Sequence, residues 1–396
     1  MSHRARVWLA AGGGALIVAL TTAAQPVPPP SSPFAALPRT IETPADNPST
    51  PEKIALGRLL FWDPILSGGQ DVACATCHHP AFGYSDGRDL PIGAGGRGTG
   101  PSRTFPGGGG ALVKRNSQSI LNVAFNGIDS RGHADPSHAP MFWDSRVQGL
   151  ETQALVPIAS LEEMRGDEGA GGDGVAAAVS RVSRVREYRT LFQHAFGRDA
   201  ITARNLARAI AAYERSLVVT DTPFDRYMRG DRSAMSDVER RGMEAFESHG
   251  CTLCHSGPML SDYKLHVLGV SDNAKLGVHD PGAEHRYAFR TPSLRNLAST
   301  APYMHSGLIP DLRGAVEFYK SVGGSAALLA HDGTGAIDGR LVLGSPVGRD
   351  ALDPLLRQVG VDSDLDEIVA FLGTLNGPFD RSIPAKVPSG LRPGGR

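Results

Sequence analysis

Two short segments carry residues whose types and spacing predict covalent haem chemistry. One reads Cys-Ala-Thr-Cys-His over residues 74–78, and the other reads Cys-Thr-Leu-Cys-His over residues 251–255. In a C-x-x-C-H segment each thiol can form a thioether with one haem vinyl group, and the histidine can bind the iron as its proximal ligand. The sequence therefore predicts two covalently bound c-type haems, one held by Cys74, Cys77 and His78 and the other by Cys251, Cys254 and His255.

Zinc binding and dithiol redox chemistry are the alternatives for these segments. A single C-x-x-C pair followed by histidine can arise by chance in either class of protein. The chain contains four cysteines, and the two segments use all of them. Two complete copies with no spare cysteine favour haem over both alternatives.

Length and composition set broad limits on the fold and its partners. A chain of 396 residues is long enough for two or three domains. Its formal net charge of -1, without a block of like charge, gives no reason to expect a nucleic-acid partner. The 48 glycines and 29 prolines predict long ordered loops between helices.

The N-terminus is typical of a signal peptide over residues 1–24. Arg4 and Arg6 precede an apolar run over residues 7–20, and small residues suited to cleavage follow at 22–24. An uncleaved anchor is the alternative, but the apolar run is short for a membrane span. Export agrees with the haem prediction, because bacterial c-type haem is attached outside the cytoplasm. We therefore expect the protein in the periplasm.

Helical patterns dominate the rest of the chain. Thr50 and Pro51 predict the start of the first helix, and Ser236 with Glu239 predicts a capping box on the helix before the second haem segment. No convincing alternating strand pattern is present. A glycine-rich loop over residues 80–110 contains G-x-G-x-x-G, but it lacks the strand and helix of a dinucleotide site, so we expect a flexible loop near a haem.

A weak internal repeat predicts the domain organisation. A helix, a C-x-x-C-H segment, a proline and then a Ser-Asp pair occur twice, the pairs being Ser85-Asp86 and Ser261-Asp262. Two related haem domains would produce this pattern. We predict a mostly α-helical fold of two cytochrome c-like domains joined around an interface, with a disordered leader over 25–47, domains over 48–225 and 226–385, and a frayed tail over 386–396.

Several longer motifs follow one another in an order that resembles a known family. They are Leu56-Gly57-Arg58-Leu59-Leu60-Phe61, Arg115-Asn116-Ser117, Phe142-Trp143-Asp144-Ser145-Arg146, Leu150-Glu151-Thr152-Gln153-Ala154, Phe289-Arg290-Thr291-Pro292-Ser293-Leu294-Arg295-Asn296 and Ala301-Pro302-Tyr303-Met304-His305. Over nearly the whole mature chain the sequence resembles the bacterial di-haem cytochrome c peroxidases and their relatives of the methylamine-utilisation (MauG) type.

The resemblance implies a role for each haem and a pocket beside the first. The haem held by His78 would be the one at which hydrogen peroxide reacts, and the haem held by His255 would transfer electrons. Gln153, Pro157 and Glu163 match the distal pocket of the peroxide-reacting haem.

Two further roles are implied at the interface of the domains. Trp143 matches a tryptophan that lies between the two haems, although from its sequence alone it is equally compatible with a core aromatic residue. Asn116, with the carbonyl groups of Thr300 and Pro302, matches the site of one calcium ion. Oxygen ligands suit calcium, but these three residues would indicate no site without the resemblance.

The chemistry of peroxide explains why a carboxyl group is expected beside the first haem. The iron needs an open position, and a nearby group must move a proton from one peroxide oxygen to the other. A carboxylate such as Glu163 can do so once an apolar pocket raises its pKa. From sequence alone, an exposed helix residue is the favoured interpretation of Glu163, and the family resemblance reverses that preference.

The chain departs from the cytochrome c peroxidases of this family in the loop after the first haem segment. Those enzymes have a histidine there that caps the resting peroxidatic haem until the other haem is reduced. Residues 80–114 contain no histidine, so we expect the first haem to be open at rest. His133 and His138 could substitute as the cap, or could be ordinary surface residues.

A second departure concerns Tyr319. The cytochrome c peroxidases have a methionine there as distal ligand of the electron-transfer haem, and the MauG-type enzymes have a tyrosine. A phenolate stabilises oxidised iron, whereas a thioether favours the ferrous state. Tyr319 is therefore our candidate for the iron ligand, with Met304 as a competing ligand and a core tyrosine as the alternative.

Together these features predict a periplasmic peroxidase that reduces hydrogen peroxide at the first haem with electrons relayed through the second. The expected donor is a small redox protein, a cytochrome c or a cupredoxin. One alternative is an enzyme that uses peroxide to oxidise residues of a partner protein. Another is an electron carrier without catalysis, which would need no distal pocket. The sequence leaves a homodimer open.

Overall fold

Helices carry most of the regular structure in the computed structural model, which describes residues 32–166, 172–322, 335–337, 340–361 and 363–395. The predicted signal peptide lies outside the described residues. The helices are α1 (Pro51–Trp62), α2 (Cys74–Cys77), α3 (Leu150–Gln153), α4 (Val156–Ala159), α5 (Gly174–Arg184), α6 (Arg186–Phe196), α7 (Ala203–Ser216), α8 (Pro223–Met228), α9 (Asp237–Ser248), α10 (Leu312–Val322) and α11 (Leu365–Gly373). The prediction of a mostly α-helical fold is confirmed.

Short strands pair locally between the helices. They are β1 (Pro140–Met141), β2 (Val147–Gln148), β3 (Leu265–His266), β4 (Asp272–Asn273), β5 (Phe289–Arg290), β6 (Gly335–Ile337) and β7 (Arg340–Leu343). All pairings are antiparallel: β1 with β2, β3 with β5, and β7 with both β4 and β6. Strands of two to four residues are too short to produce an alternating pattern, which is why no strand was predicted.

The helix starts that the sequence predicted are confirmed. The Thr50 hydroxyl accepts a hydrogen bond from the Lys53 amide at 3.3 Å at the start of α1. The capping box of α9 is complete, since the Ser236 hydroxyl accepts from the Glu239 amide and the Glu239 carboxylate accepts from the Ser236 amide. Such caps satisfy amide groups that have no partner inside the helix.

Two helix pairs cross closely, one near each haem segment. A Cβ atom added to Gly57 of α1 would lie 1.9 Å from the Ala209 carbonyl oxygen of α7. One added to Gly242 of α9 would lie 1.8 Å from the Glu367 carbonyl oxygen of α11. Each crossing has its own hydrophobic core: Leu56, Leu60, Leu206 and Ile210 belong to one, and Phe246, Ile368, Phe371 and Leu372 to the other.

The leader predicted to be disordered over 25–47 is ordered in its described part. Phe34 is 4% exposed and packs among Phe224, Phe246 and Phe371. The Leu37 amide donates to the Asp225 carboxylate at 2.9 Å. The prediction was wrong for this part because its proline-rich composition does not reveal one well-placed aromatic anchor.

The tail over 386–396 is also ordered in its described part, up to residue 395. Val387 is buried, and the Ser389 hydroxyl donates to the Asp63 carboxylate at 2.6 Å. The Gly394 amide donates to the Trp62 carbonyl at 2.8 Å, and the Gly394 carbonyl accepts from the Thr76 hydroxyl at 2.8 Å. The prediction of a frayed tail was wrong, because the tail returns to α1 and the first haem segment.

Of the helices that the structure describes, none combines the length and the apolar character needed to cross a membrane.

The two glycine contacts give a test of the helix crossings. Gly57→Ala and Gly242→Ala should each lower the free energy of unfolding by about 1–3 kcal/mol, the usual effect of forcing extra atoms into a packed interface. The measurement is urea unfolding of the haem-loaded protein.

Gly373→Ala is the matched control. Gly373 ends α11, and no atom lies within 4 Å of the position that its Cβ would take. Alanine there should leave stability unchanged or raise it by up to about 1 kcal/mol. Equal stability in all three variants would show that the helices do not cross as closely as described.

Candidate functional site

Both haem segments face one cavity of about 680 Å³. Volumes of about 300–1,000 Å³ are usual for sites of ligands and cofactors. The residues of the two segments that line it are Cys74, Cys77, His78, Cys251, Cys254 and His255. Every residue predicted to attach a haem or to act as a proximal ligand therefore faces the same space.

The two proximal histidines are held in the same way. His78 Nδ1 lies 3.1 Å from the Tyr84 carbonyl oxygen, and His255 Nδ1 lies 2.9 Å from the Leu260 carbonyl oxygen. A carbonyl can only accept, so Nδ1 carries the proton and Nε2 keeps its lone pair. Burial lowers the pKa of both imidazoles, which keeps them neutral. Both histidines are therefore prepared to bind iron through Nε2.

Three of the four motif thiols have raised pKa values. Burial raises the pKa of Cys74 and Cys77, and raises that of Cys251 to about 12. A thioether needs no charged sulfur, and the residues present therefore fit a covalently attached haem.

One cluster beside the second haem segment has the residue types of a metal site. Potential ligand atoms of Cys254, Asp262 and His266 lie within 4.8 Å of one another. His266, however, lies between Asp262 at 3.1 Å and Asp353 at 2.6 Å. Hydrogen bonds that His266 donates to Asp262 and Cys254, and then to Asp353, raise its pKa to about 11. A protonated imidazole has no free lone pair, so the cluster is an ion-pair group rather than a metal site.

The three distal residues come from consecutive turns of the chain. Gln153 ends α3, Pro157 lies in α4, and Glu163 lies in the π-helical turn Leu161–Arg165; all three line the cavity. Glu163 is half-buried, and burial raises its pKa to about 7. π-Turns are uncommon and are frequent at functional sites. A carboxyl group with this pKa can accept and return a proton near neutral pH.

The two candidate capping histidines lie at the surface. His133 and His138 are not among the described residues that line the cavity. The His138 side chain is 70% exposed and pairs with Asp135 at 2.7 Å. Of the two interpretations of these histidines, the structure supports the one of ordinary surface residues.

The glycine-rich loop after the first haem segment is held by hydrogen bonds. Arg97 and Thr104 pair through both backbone amides, at 2.8 and 2.9 Å. Arg88 Nη1 donates to the carbonyls of Gly100, Pro101 and Arg103 at 3.2, 3.1 and 2.8 Å. The expectation of a flexible loop was wrong, because composition does not show which carbonyls a distant guanidinium will bind.

Trp143 is fixed by contacts with both halves of the chain. Its indole Nε1 donates to the Asn116 carbonyl at 2.9 Å, and its own carbonyl accepts from the Arg290 amide at 2.6 Å. The Asn116 amide donates to the His305 carbonyl at 2.8 Å. Trp143, Asn116 and the predicted calcium-binding residues Thr300 and Pro302 all line the cavity. The Asn116 side-chain nitrogen donates to the Arg88 carbonyl at 2.8 Å.

Tyr319 lies on α10 and lines the cavity with Cys251, Cys254 and His255. Burial raises the pKa of its phenol, and the nearby cysteines raise it further. An iron ion would have to displace that proton for the phenolate to bind. Met304, the competing candidate for the ligand of the second iron, lines the same cavity.

Glu214 is a buried carboxyl group that the sequence reasoning missed. It lies on α7, is 5% exposed and lines the cavity. Burial raises its pKa to about 8, and within the described chain its Oε2 has no hydrogen-bond partner. The signal was present in the sequence, because Glu214 follows Ile210 by four positions and interrupts the apolar face of α7.

Comparison with known proteins identifies relatives of this chain. The family model of the di-haem cytochrome c peroxidases matches residues 51–233. The methylamine utilization protein MauG of Methylophilus methylotrophus is 36% identical over 290 residues, which cover 72% of this chain and 77% of that protein. The cytochrome c551 peroxidase of Pseudomonas aeruginosa is 30% identical over 379 residues, covering 92% of this chain and 91% of that protein.

A solved structure of a protein related to these relatives has a similar fold. A MauG-like protein associated with microbial copper homeostasis superposes with a TM-score of 0.66 at 26% identity, covering 86% of this chain and 94% of that one. The chain therefore belongs to the di-haem cytochrome c peroxidase family.

Proposed function

We propose that the protein reduces hydrogen peroxide in the periplasm at the haem attached to Cys74 and Cys77, with electrons relayed through the haem attached to Cys251 and Cys254. The observation that carries the proposal is the position of Glu163, a carboxyl group with a raised pKa that lines the cavity beside Gln153 and Pro157. Membership of a peroxidase family supports the same chemistry.

The proposed roles of the residues follow from what peroxide needs. A haem held by Cys74, Cys77 and His78 would supply a redox-active iron with which peroxide can react. Glu163 takes the proton from one peroxide oxygen and returns it to the other, so that the second oxygen leaves as water. Two electrons and two further protons complete the conversion of one hydrogen peroxide into two waters. Gln153 and Pro157 restrict the space in which the peroxide lies.

We propose that the first haem is open without prior reduction. Residues 80–114 contain no histidine that could cap the iron. His133 and His138 do not line the cavity, and the loop after the haem segment is already held by its arginines. No rearrangement is then needed before peroxide enters.

We propose two haem domains over 48–225 and 226–385, with Trp143 as the route for electrons between them. The two helix crossings and their separate cores support this division. The described tail is an exception to this order along the chain, because residues 386–395 follow the second domain but contact the first. A cytochrome c or cupredoxin is the proposed donor. A calcium ion at Asn116, Thr300 and Pro302 is proposed on the family resemblance and on their shared cavity.

Tyr319 favours a second candidate function, the oxidation of residues of a partner protein. A phenolate on the second iron would stabilise its oxidised form and make it a poor electron acceptor. The oxidised haems would then draw electrons from residues of a docked protein rather than receive them from a small redox donor. The similarity to MauG supports this candidate, and the distal pocket argues against a mere electron carrier.

Glu163→Gln tests the proton-carrier role. Glutamine keeps the size and hydrogen-bonding capacity of the side chain but cannot titrate, so the peroxide reaction should slow by about 100-fold or more. Glu163 must be ionised to accept a proton, so the rate for the parent protein should rise with pH through about 7, and the variant should lose this rise. Stopped-flow kinetics over a pH series measure both effects.

The exposed Glu187 provides the control for the glutamine substitution. Glu187→Gln should leave the rate and its pH dependence unchanged, and both variants should contain two haems. An unchanged rate in Glu163→Gln would remove Glu163 from the mechanism and leave Glu214 or solvent as the proton carrier.

Tyr319→Met separates the two candidate functions. If the phenolate binds iron, its replacement by a thioether should raise the reduction potential of the second haem by on the order of 100 mV or more, because axial ligands set haem potentials over about 0.8 V. Haem content should not change. Spectroelectrochemistry measures the potential, and turnover with reduced cytochrome c should increase in the variant. Identical spectra and potentials in parent and variant would show that Tyr319 is not a ligand.

A further inference from the structure

A backbone contact links the glycine-rich loop to the turn that carries Glu163. A Cβ atom added to Gly93 would lie 2.1 Å from the Glu162 carbonyl oxygen and 2.4 Å from the Glu163 carbonyl oxygen. Both neighbours are backbone atoms, so a side chain at position 93 could be accommodated only if the turn or the loop moved. Gly93 is therefore in direct van der Waals contact with the backbone that positions the proton carrier.

Arg103 holds Gly93 in this contact. The residue is 1% exposed, and its Nε donates to the Ile92 carbonyl at 2.7 Å. Its Nη2 donates to the Gly93 carbonyl at 2.8 Å, and its Nη1 to the Gly98 carbonyl at 3.0 Å. Hydrogen bonds from a guanidinium are about twice as strong as neutral ones, and the planar group fixes the direction of each.

The turn itself needs support from outside. In the π-helical turn Leu161–Arg165, the Ser160 carbonyl accepts from the amides of both Met164 and Arg165, at 3.2 and 2.8 Å. The Met164 carbonyl accepts from the Gly68 amide at 2.9 Å, which ties down one side of the turn. π-Helical hydrogen bonding is intrinsically rare, so such a turn persists when its surroundings hold it. Gly93 contacts it at Glu162 and Glu163.

We propose that residues 91–104 form a fixed support for Glu163, and that Arg103 is the positioning residue that holds this support in place. The claim that Arg103 orders the loop and the turn together does not depend on the reaction that the protein catalyses. The consequence for peroxide chemistry rests on the proposed function of Glu163.

Two substitutions test the support from opposite ends. Arg103→Lys keeps the charge but loses the planar set of donors to three carbonyls. Gly93→Ala forces an atom between the loop and the turn. Gly109→Ala is the matched control, because Gly109 lies in the same long loop and no atom lies within 4 Å of the position that its Cβ would take.

The first measurement is hydrogen exchange of the resting haem-loaded protein, without peroxide. Arg103→Lys and Gly93→Ala should each speed exchange by about 10-fold or more both in residues 93–104 and in residues 161–166, because breaking the support opens both segments. Gly109→Ala should match the parent. Faster exchange confined to residues 93–104 would overturn the proposal, since the turn would then be ordered without the loop.

The second measurement is the pH dependence of the peroxide reaction. A displaced Glu163 should lower the rate by about 10-fold or more and shift the rise near pH 7, without a change in haem content. Parent-like rates and pH dependence in variants whose exchange is faster would overturn the positioning role. A parent-like rate in Glu163→Gln would instead refute the proposed function while leaving the exchange result intact.

Discussion

A carboxyl group held away from water, at the edge of a cavity built for haem, is the feature on which the rest of this structure depends. In water the Glu163 carboxylate would be ionised at neutral pH but would be too weak a base to take a proton from peroxide. Burial raises its pKa to about 7, where both protonation states are populated. The surrounding elements hold Glu163 at the edge of the cavity. Helices α3 and α4 lead into the π-helical turn that carries it, the Gly68 amide binds one side of this turn, and Gly93 contacts the other side.

The proximal side of the cavity obeys a simpler constraint. Two backbone carbonyls, of Tyr84 and Leu260, accept from Nδ1 of the motif histidines and leave Nε2 for iron. Both contacts lie within six residues of the histidine concerned, so each haem segment brings its own means of orienting the ligand. The distal side has no such local solution, because Glu163 lies far along the chain from Cys74 and must be supported by separate elements.

Local features of the fold were predictable from the sequence, and distant contacts were not. The C-x-x-C-H segments and the caps at Thr50 and Ser236 involve residues a few positions apart. Phe34 and the tail near Gly394 were assigned to disorder on composition, although each packs against residues far away in sequence. A single aromatic residue in a proline-rich segment produces no periodic pattern in the sequence. A glycine such as Gly394, whose carbonyl accepts a hydrogen bond from Thr76, produces none either.

The candidate site shows the same division between motif and context. Gln153, Pro157 and Glu163 were located through family motifs, and all three line the cavity. Arg103 had no such signal, being one of three arginines in a loop whose glycines indicated flexibility. Its importance lies in three carbonyl contacts that only the folded loop creates.

The central claim is that the first haem is open to peroxide in the resting enzyme, and the fully oxidised protein tests it most directly. Electron paramagnetic resonance of this form should show one high-spin haem, and mixing with hydrogen peroxide, without any reductant, should change the spectrum at once. Two low-spin haems that ignore peroxide until one of them is reduced would contradict the account, because another side chain would then be capping the iron.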